Sequence, residues 1–129
     1  MKTAQDYLDD ANAVVPKMDA KDAIAKHAEG KGVFIDVRDS GDIAKSGTIK
    51  GAHRVPRGMI EFWVDPDSPY FKEIFGQDKT FVFHCASGWR SAITTATLQD
   101  MGFDAAHLRE GFSTWEKHGG PVEYPEKKD

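Results

Sequence analysis

Apolar positions in this chain fall into short blocks whose spacing alternates between helical and extended. Tyr7, Leu8, Ala11, Val14 and Val15 recur at i, i+1, i+4, i+7 and i+8, one stripe of a helix. Thr3, with Asp6 three residues on, is a variant of the capping box at its start, and Pro16 closes it. A second helix opens with Asp19 as N-cap, turns Ala20, Ala23, Ile24, His27 and Ala28 inward, and stops at Gly30.

Gly32-Val33-Phe34-Ile35-Asp36-Val37-Arg38 is a continuous apolar run ending in charge, the pattern of a buried parallel strand. The polar, glycine-rich stretch from Asp39 to Gly51 has room for one short helix. Ala52 to Pro56 reads as a short strand, and Arg57 to Trp63 as a helical turn. Pro66, Pro69, Tyr70, Phe71 and Phe75 indicate another short helix on the core. Thr80 to His84 is a strand, and a helix follows with Ile93, Ala96 and Met101 near one face, ended by Gly102. Ala105 to Leu108 is the last strand, and Gly111 to Trp115 opens a final helix. Strands alternating with helices predict an α/β fold: a small parallel sheet of about five strands with helices on both faces.

Composition narrows the field. The chain has 129 residues, enough for one core. Its net charge of −4 argues against nucleic acid as a partner. No apolar stretch approaches the roughly 20 residues that span a bilayer, and Met1 to Tyr7 lacks the apolar core of a secretory signal. A membrane is therefore not an expected partner. The single cysteine cannot form an intrachain disulfide, which fits a reducing, cytoplasmic setting.

That cysteine carries the chemistry. Cys85 ends the Phe81-Val82-Phe83-His84 run, and the helix-compatible Ser91 to Leu98 comes soon after. A thiol in a tight strand-to-helix turn sits where backbone N–H groups converge and the helix dipole is positive, which favours the nucleophilic thiolate. In parallel sheets, ligands bind at this carboxyl edge of the strands. His84 is adjacent in sequence, but strand alternation turns it away from the thiol. His27, His53, His107 and His118 are scattered, and no Cys/His cluster has zinc spacing, so neither metal nor cofactor is expected.

The spacing Cys85-x-x-x-x-Arg90, with Gly88 inside it, resembles the active-site loop of the rhodanese family of sulfurtransferases. Ile35-Asp36-Val37-Arg38 resembles that family's first signature. Gly47-Thr48-Ile49-Lys50-Gly51-Ala52 resembles its Gly-His-Ile-x-Gly-Ala segment, with Thr48 in place of histidine. Glu110-Gly111-Phe112-Ser113-Thr114-Trp115 resembles its closing Gly-Gly-x-x-x-Trp, with Glu110 in place of the first glycine. These signatures span roughly residues 17–122 and imply a rhodanese-like domain over 17–125, a helical extension over 1–16 and a tail over 126–129.

The resemblance implies that Cys85 takes the sulfane sulfur of a small anionic donor such as thiosulfate. A persulfide forms, and the sulfur passes to cyanide, a thiol or a protein acceptor. It places Ala86, Ser87, Gly88, Trp89 and Arg90 around the donor, with Ser87 either a hydroxyl donor or a helix cap and Trp89 either a pocket wall or a cover for the helix. Arg57, ahead of a helical turn that neighbours the loop, reads as a solvated surface charge or as a second anion ligand. Amides of Ala86 to Arg90 hold charge, Gly88 supplies conformational freedom, and Arg90 is a cationic fork or a brace for loop carbonyls. Asp36 and Arg38 read as a structural ion pair. Two rivals stand beside this reading. One is a sulfur-carrier, sensing or binding module. The other is a cysteine-dependent phosphatase or arsenate reductase, which His84-Cys85…Arg90-Ser91 superficially suggests; four residues separate Cys85 from Arg90, where the phosphatase signature has five.

Overall fold

The computed structural model describes residues 1–55, 57–86 and 88–125; the side chain of Arg57 lies outside that description. The chain runs α1 (Ala4–Val14), β1 (Lys17–Met18), α2 (Ala20–Ala28), β2 (Val33–Asp36), α3 (Ser40–Ser46), β3 (Thr48–Ile49), β4 (His53–Arg54) and α4 (Ile60–Val64). It continues with β5 (Phe81–His84), α5 (Trp89–Asp100), β6 (Ala105–Leu108), α6 (Phe112–Lys117) and β7 (Val122–Glu123). Short 3-10 turns at Arg57–Met59 and Glu73–Gly76 flank α4 on either side.

Five strands form one wholly parallel sheet in the order β1-β6-β5-β2-β4. The central strands β2, β5 and β6 are buried at every position, as their unbroken apolar runs require. Alternation splits the core in two. Val33, Ile35, Phe81, Phe83, Cys85 and Ala105 pack on one face with Ile60 and Val64 of α4 and Leu98 of α5. Phe34, Val82 and Leu108 pack on the other with Ala23 of α2 and Phe112 and Trp115 of α6. Helices thus cover both faces, and the ends of β2 and β5 lie side by side at one carboxyl edge.

Helix α1 adds a third layer. Its capping box is present, with Thr3 Oγ1 accepting from the Asp6 amide and Asp6 Oδ2 accepting from the Thr3 amide. Ala11 and Val15 bury against Ala92 of α5, but Tyr7 and Val14 from the same predicted stripe are 55% and 64% exposed. The reason is geometric: α1 touches one helix, not a sheet, so it buries a narrower stripe. Ala28 and Met101 are exposed as well, each at a helix end beyond reach of the core.

Sequence periodicity did not reveal two features. Lys17–Met18 adds an edge strand along β6. Thr48–Ile49 pairs antiparallel with Val122–Glu123 in a separate two-stranded ribbon. Two-residue strands carry no alternation to detect. The tail at 126–129 lies outside the described residues.

Candidate active site

Cys85 follows the last residue of β5, and α5 begins four residues later. Gly88, the N-cap of α5, has φ +92, a left-handed conformation that costs an L side chain roughly 1–2 kcal/mol. That conformation aims its N–H at the Cys85 sulfur, 3.1 Å away. The Ser91 amide, in the first turn of α5, also points at Sγ from 3.4 Å. The sulfur therefore stands in for the side-chain oxygen of a helix cap, at the positive end of a 12-residue helix. The thiol also lies 3.5 Å from Ser91 Oγ, to which it donates. Cys85 is 1% exposed.

The loop is held from behind by the start of α6. The Phe112 amide donates to the Cys85 carbonyl oxygen at 2.8 Å. Gly111 has φ +80 and lies so close that an added Cβ would overlap the Ala86 carbonyl and approach the Cys85 carbonyl oxygen within 2.7 Å. Glycine is required there on both counts.

A buried ion pair braces the neighbouring strand tip. Arg38 Nη2 lies 2.8 Å from Asp36 Oδ2, and Arg38 Nε bridges both carboxylate oxygens. Thr48 Oγ1 donates to Asp36 Oδ2 at 2.8 Å, so this threonine serves the carboxylate directly. Arg38 further donates to Ser46 Oγ and the Gly47 carbonyl. Burial alone would raise the Asp36 carboxyl; hydrogen bonds from Arg38, the nearby His84 and a hydrogen bond from Thr48 together outweigh it and hold the group below its ordinary value. Both charges are thus fully occupied structurally.

His84 faces away from the thiol, as alternation requires, and stacks on Phe112 with ring centroids 6.1 Å apart. The Arg38 guanidinium covers the Phe112 ring at 4.5 Å. Burial pushes His84 down to about 4, reinforced by Arg38 and opposed by Asp36. It is uncharged at neutral pH, so its 3.8 Å approach to Asp36 is not an ion pair. His107, on β6, is also buried, and its Nδ1 lies 3.2 Å from Ser91 Oγ. Burial, with Lys17 adding to it, lowers His107 to about 4.

A cleft of about 560 Å³ opens beside this edge, lined by Val37, Arg38, Asp39, Arg54, Gly58 and Arg90, among others. Arg90 sits half-exposed with Nη2 3.5 Å from Asp42 Oδ2. Arg54, an edge-strand residue, is exposed. With Arg38 engaged by Asp36, these two side chains supply solvent-facing positive charge to the cleft.

The expected site residues therefore separate. Cys85, Gly88 and Arg90 come together at one edge. Ala86 is exposed, with its carbonyl against Gly111. Trp89 is 67% exposed and is not among the residues lining the cleft. Ser87 and the Arg57 side chain lie outside the described residues; the Arg57 backbone opens the 3-10 turn before α4. Among the amides expected to hold the sulfur, Gly88 does so, joined by that of Ser91, which sequence reasoning did not include. Arg54 and His107 were also missed. Alternation along β6 places His107 on the Cys85 face, but only the pairing of Phe83 with His107 shows that the two come close. Among the described residues, no three His, Cys, Asp or Glu side chains are placed to hold a metal. No helix among them is long and apolar enough to cross a membrane.

Comparison with known proteins adds a lineage to this geometry. The rhodanese-like domain family profile matches residues 19–118. A protein of Allochromatium vinosum named "Sulfurtransferase" is 29% identical over 115 residues, which cover 88% of this chain and 99% of that one. "Probable adenylyltransferase/sulfurtransferase MoeZ" of Mycobacterium tuberculosis is 36% identical over 91 residues. That match covers 68% of this chain but only 21% of the mycobacterial protein. Among solved structures, one from Rhodopseudomonas palustris, described as a protein of unknown function and possible tyrosine phosphatase, is 45% identical with a TM-score of 0.92. It covers 95% of this chain and 96% of its own.

Proposed function

The chain belongs to the rhodanese-like domain family, and on that premise we propose that it is a thiosulfate-type sulfurtransferase working through a Cys85 persulfide. One observation carries the reading: the N–H groups of Gly88 and Ser91 converge on the only sulfur able to act as nucleophile, at the N-terminus of α5. Such amides stabilise an anion without having to reorganise. They serve the resting thiolate and the thiolate regenerated after transfer.

The reaction is a double displacement. The Cys85 thiolate attacks the outer sulfur of thiosulfate. A bond forms between Sγ and that sulfur as the bond to the sulfonate sulfur breaks, and sulfite departs with the electron pair. Cyanide or a thiolate then attacks the outer persulfide sulfur, and the Cys85 thiolate is restored. Arg54 and Arg90 attract the anionic donor into the cleft, and Gly88 keeps the loop backbone open to it. The near-complete burial of Cys85 favours a small donor over a bulky one. Nothing in the cycle calls for a metal or cofactor.

The test is intact-mass analysis after mixing with thiosulfate. The expected result is a gain of one sulfur, reversed by cyanide and absent in Cys85→Ala. An unchanged mass in the parent protein would overturn the reading.

A second reading, a cysteine-dependent phosphatase, draws support from the description of the Rhodopseudomonas relative. The loop argues against it. Four residues between Cys85 and Arg90 make a cradle sized for one sulfur rather than a phosphoryl group. Negligible turnover of aryl phosphates is expected; robust turnover lost in Cys85→Ser would reverse the order. A dedicated carrier would pass its sulfur to one protein partner and leave cyanide and small thiols unused.

A further inference from the structure

We propose that His107 is a positioning residue for the nucleophile, acting through Ser91 to give the Cys85 thiolate a third hydrogen-bond donor. This rests on the sulfur-transfer reading of Cys85 and extends it to two side chains, those of Ser91 and His107, that carry no role in it.

The geometry is a buried line of three side chains on three elements. Cys85 follows β5, Ser91 sits in the first turn of α5, and His107 lies on β6, next to β5 in the sheet. Sγ is 3.5 Å from Ser91 Oγ, and Ser91 Oγ is 3.2 Å from His107 Nδ1. Cys85, Ser91 and His107 are 1%, 0% and 3% exposed. A neutral imidazole and a hydroxyl can run this line in either direction. In one, a thiol donates to Ser91 and Ser91 donates to Nδ1. In the other, Nδ1–H donates to Ser91 and the Ser91 hydroxyl donates to a thiolate.

The remaining ring nitrogen decides between them. His107 Nε2 is buried and has no hydrogen-bond partner among the described residues. A ring proton placed on Nε2 would be a buried donor without an acceptor, whereas on Nδ1 it meets Ser91 Oγ. A neutral ring therefore keeps its proton on Nδ1. With that side of Ser91 Oγ receiving a proton, the hydroxyl hydrogen turns to the other neighbour at hand, Cys85 Sγ. The sulfur then accepts from the amides of Gly88 and Ser91 and from the Ser91 hydroxyl. Burial and the nearby Lys17 charge keep the ring neutral above about pH 5, so this polarity persists under ordinary conditions. The His107 ring also packs beside the loop that carries the sulfur. A Cβ added at Gly88 would come within 3.7 Å of the His107 ring.

The first test is the ring tautomer, read from nitrogen chemical shifts of the labelled, unmodified protein at neutral pH. The Nδ1–H form is expected, and an Nε2–H form would overturn the proposal. The second is the rate of Cys85 alkylation by iodoacetamide at neutral pH. Ser91→Ala and His107→Leu are each expected to slow it about tenfold, the worth of one hydrogen bond to a charged acceptor. The double variant should be no slower than either single one, because both changes cut the same line. His107→Asn, whose side-chain N–H occupies the place of Nδ1–H, should recover most of the rate. Parent-like rates in His107→Leu, additive losses in the double variant, or no recovery with asparagine would each overturn it. Thiosulfate-dependent mass gain is followed separately in the parent. Its absence would sink the sulfur-transfer reading and leave the tautomer and alkylation results to stand on their own.

Discussion

Phe112 donates its backbone N–H to the carbonyl oxygen of Cys85 at 2.8 Å, so the residue that opens α6 holds the residue that carries the sulfur. Gly111 makes that approach possible. Gly111→Ala forces a methyl into the Ala86 carbonyl while demanding a positive φ, and neither flaw can relax without moving the loop. A loss on the order of 3 kcal/mol is expected in urea unfolding, together with loss of persulfide formation. Stability within about 0.5 kcal/mol of the parent would contradict this account of the clamp.

Glu110 carries backbone strain. It adopts φ +61, the only described non-glycine residue with positive φ, at the position where the family motif has glycine. Its side chain is exposed. Glu110→Gly should therefore raise stability by about 0.5–1 kcal/mol, read as an increased urea midpoint at constant m-value. A decrease would show that the glutamate side chain contributes more than its backbone costs.

The two arginines at the cleft should affect binding rather than folding. Arg90 is paired with Asp42, but both are largely solvated, so the pair adds little stability. Arg54→Ala and Arg90→Ala are each expected to raise KM for thiosulfate severalfold while unfolding midpoints barely move. Added salt should shrink the difference from the parent, because exposed charges are screened.

Acid sensitivity follows from the two buried histidines. Both are held at about 4 in the folded protein against an ordinary value near 6.5. Between those values the unfolded chain binds more protons than the folded one, so stability is full above about pH 6.5 and falls as pH drops toward 4. Each site removes on the order of 3 kcal/mol over that window. Asp36 adds a further loss below about pH 4, because its folded carboxyl is depressed. Thermal unfolding at pH 7, 5.5 and 4.5 checks this. His84→Phe should flatten the profile, since it removes the ring facing Asp36, Arg38 and Phe112. An unchanged slope would exclude His84 as a source.

Much of the architecture was readable beforehand, and for definite reasons. Unbroken runs such as Val33–Asp36 and Phe81–His84 can only be central strands once helices lie between them. Thr3 and Asp6 marked the start of α1 because the capping box is a local device. Cys85, Gly88 and Arg90 stood out because they share one short loop, and the fold keeps them together at one sheet edge. What stayed hidden depends on long-range register. The His107–Ser91 contact joins residues 16 apart, and a lone histidine in an apolar strand has no distinguishing pattern. Thr48 looked like a lost histidine until the fold brought it to Asp36 across 12 residues. Tyr7 and Val14 belonged to a real helical stripe, but periodicity does not reveal how wide a surface the helix will find.

Because the cysteine sulfur closes the first turn of α5, the covalent state of one atom is wired into the mechanical integrity of a whole helix. Oxidation, alkylation or sulfur loading each presents those amides with a different acceptor. The melting behaviour of the protein should therefore report its chemical history, with no substrate needed to read it.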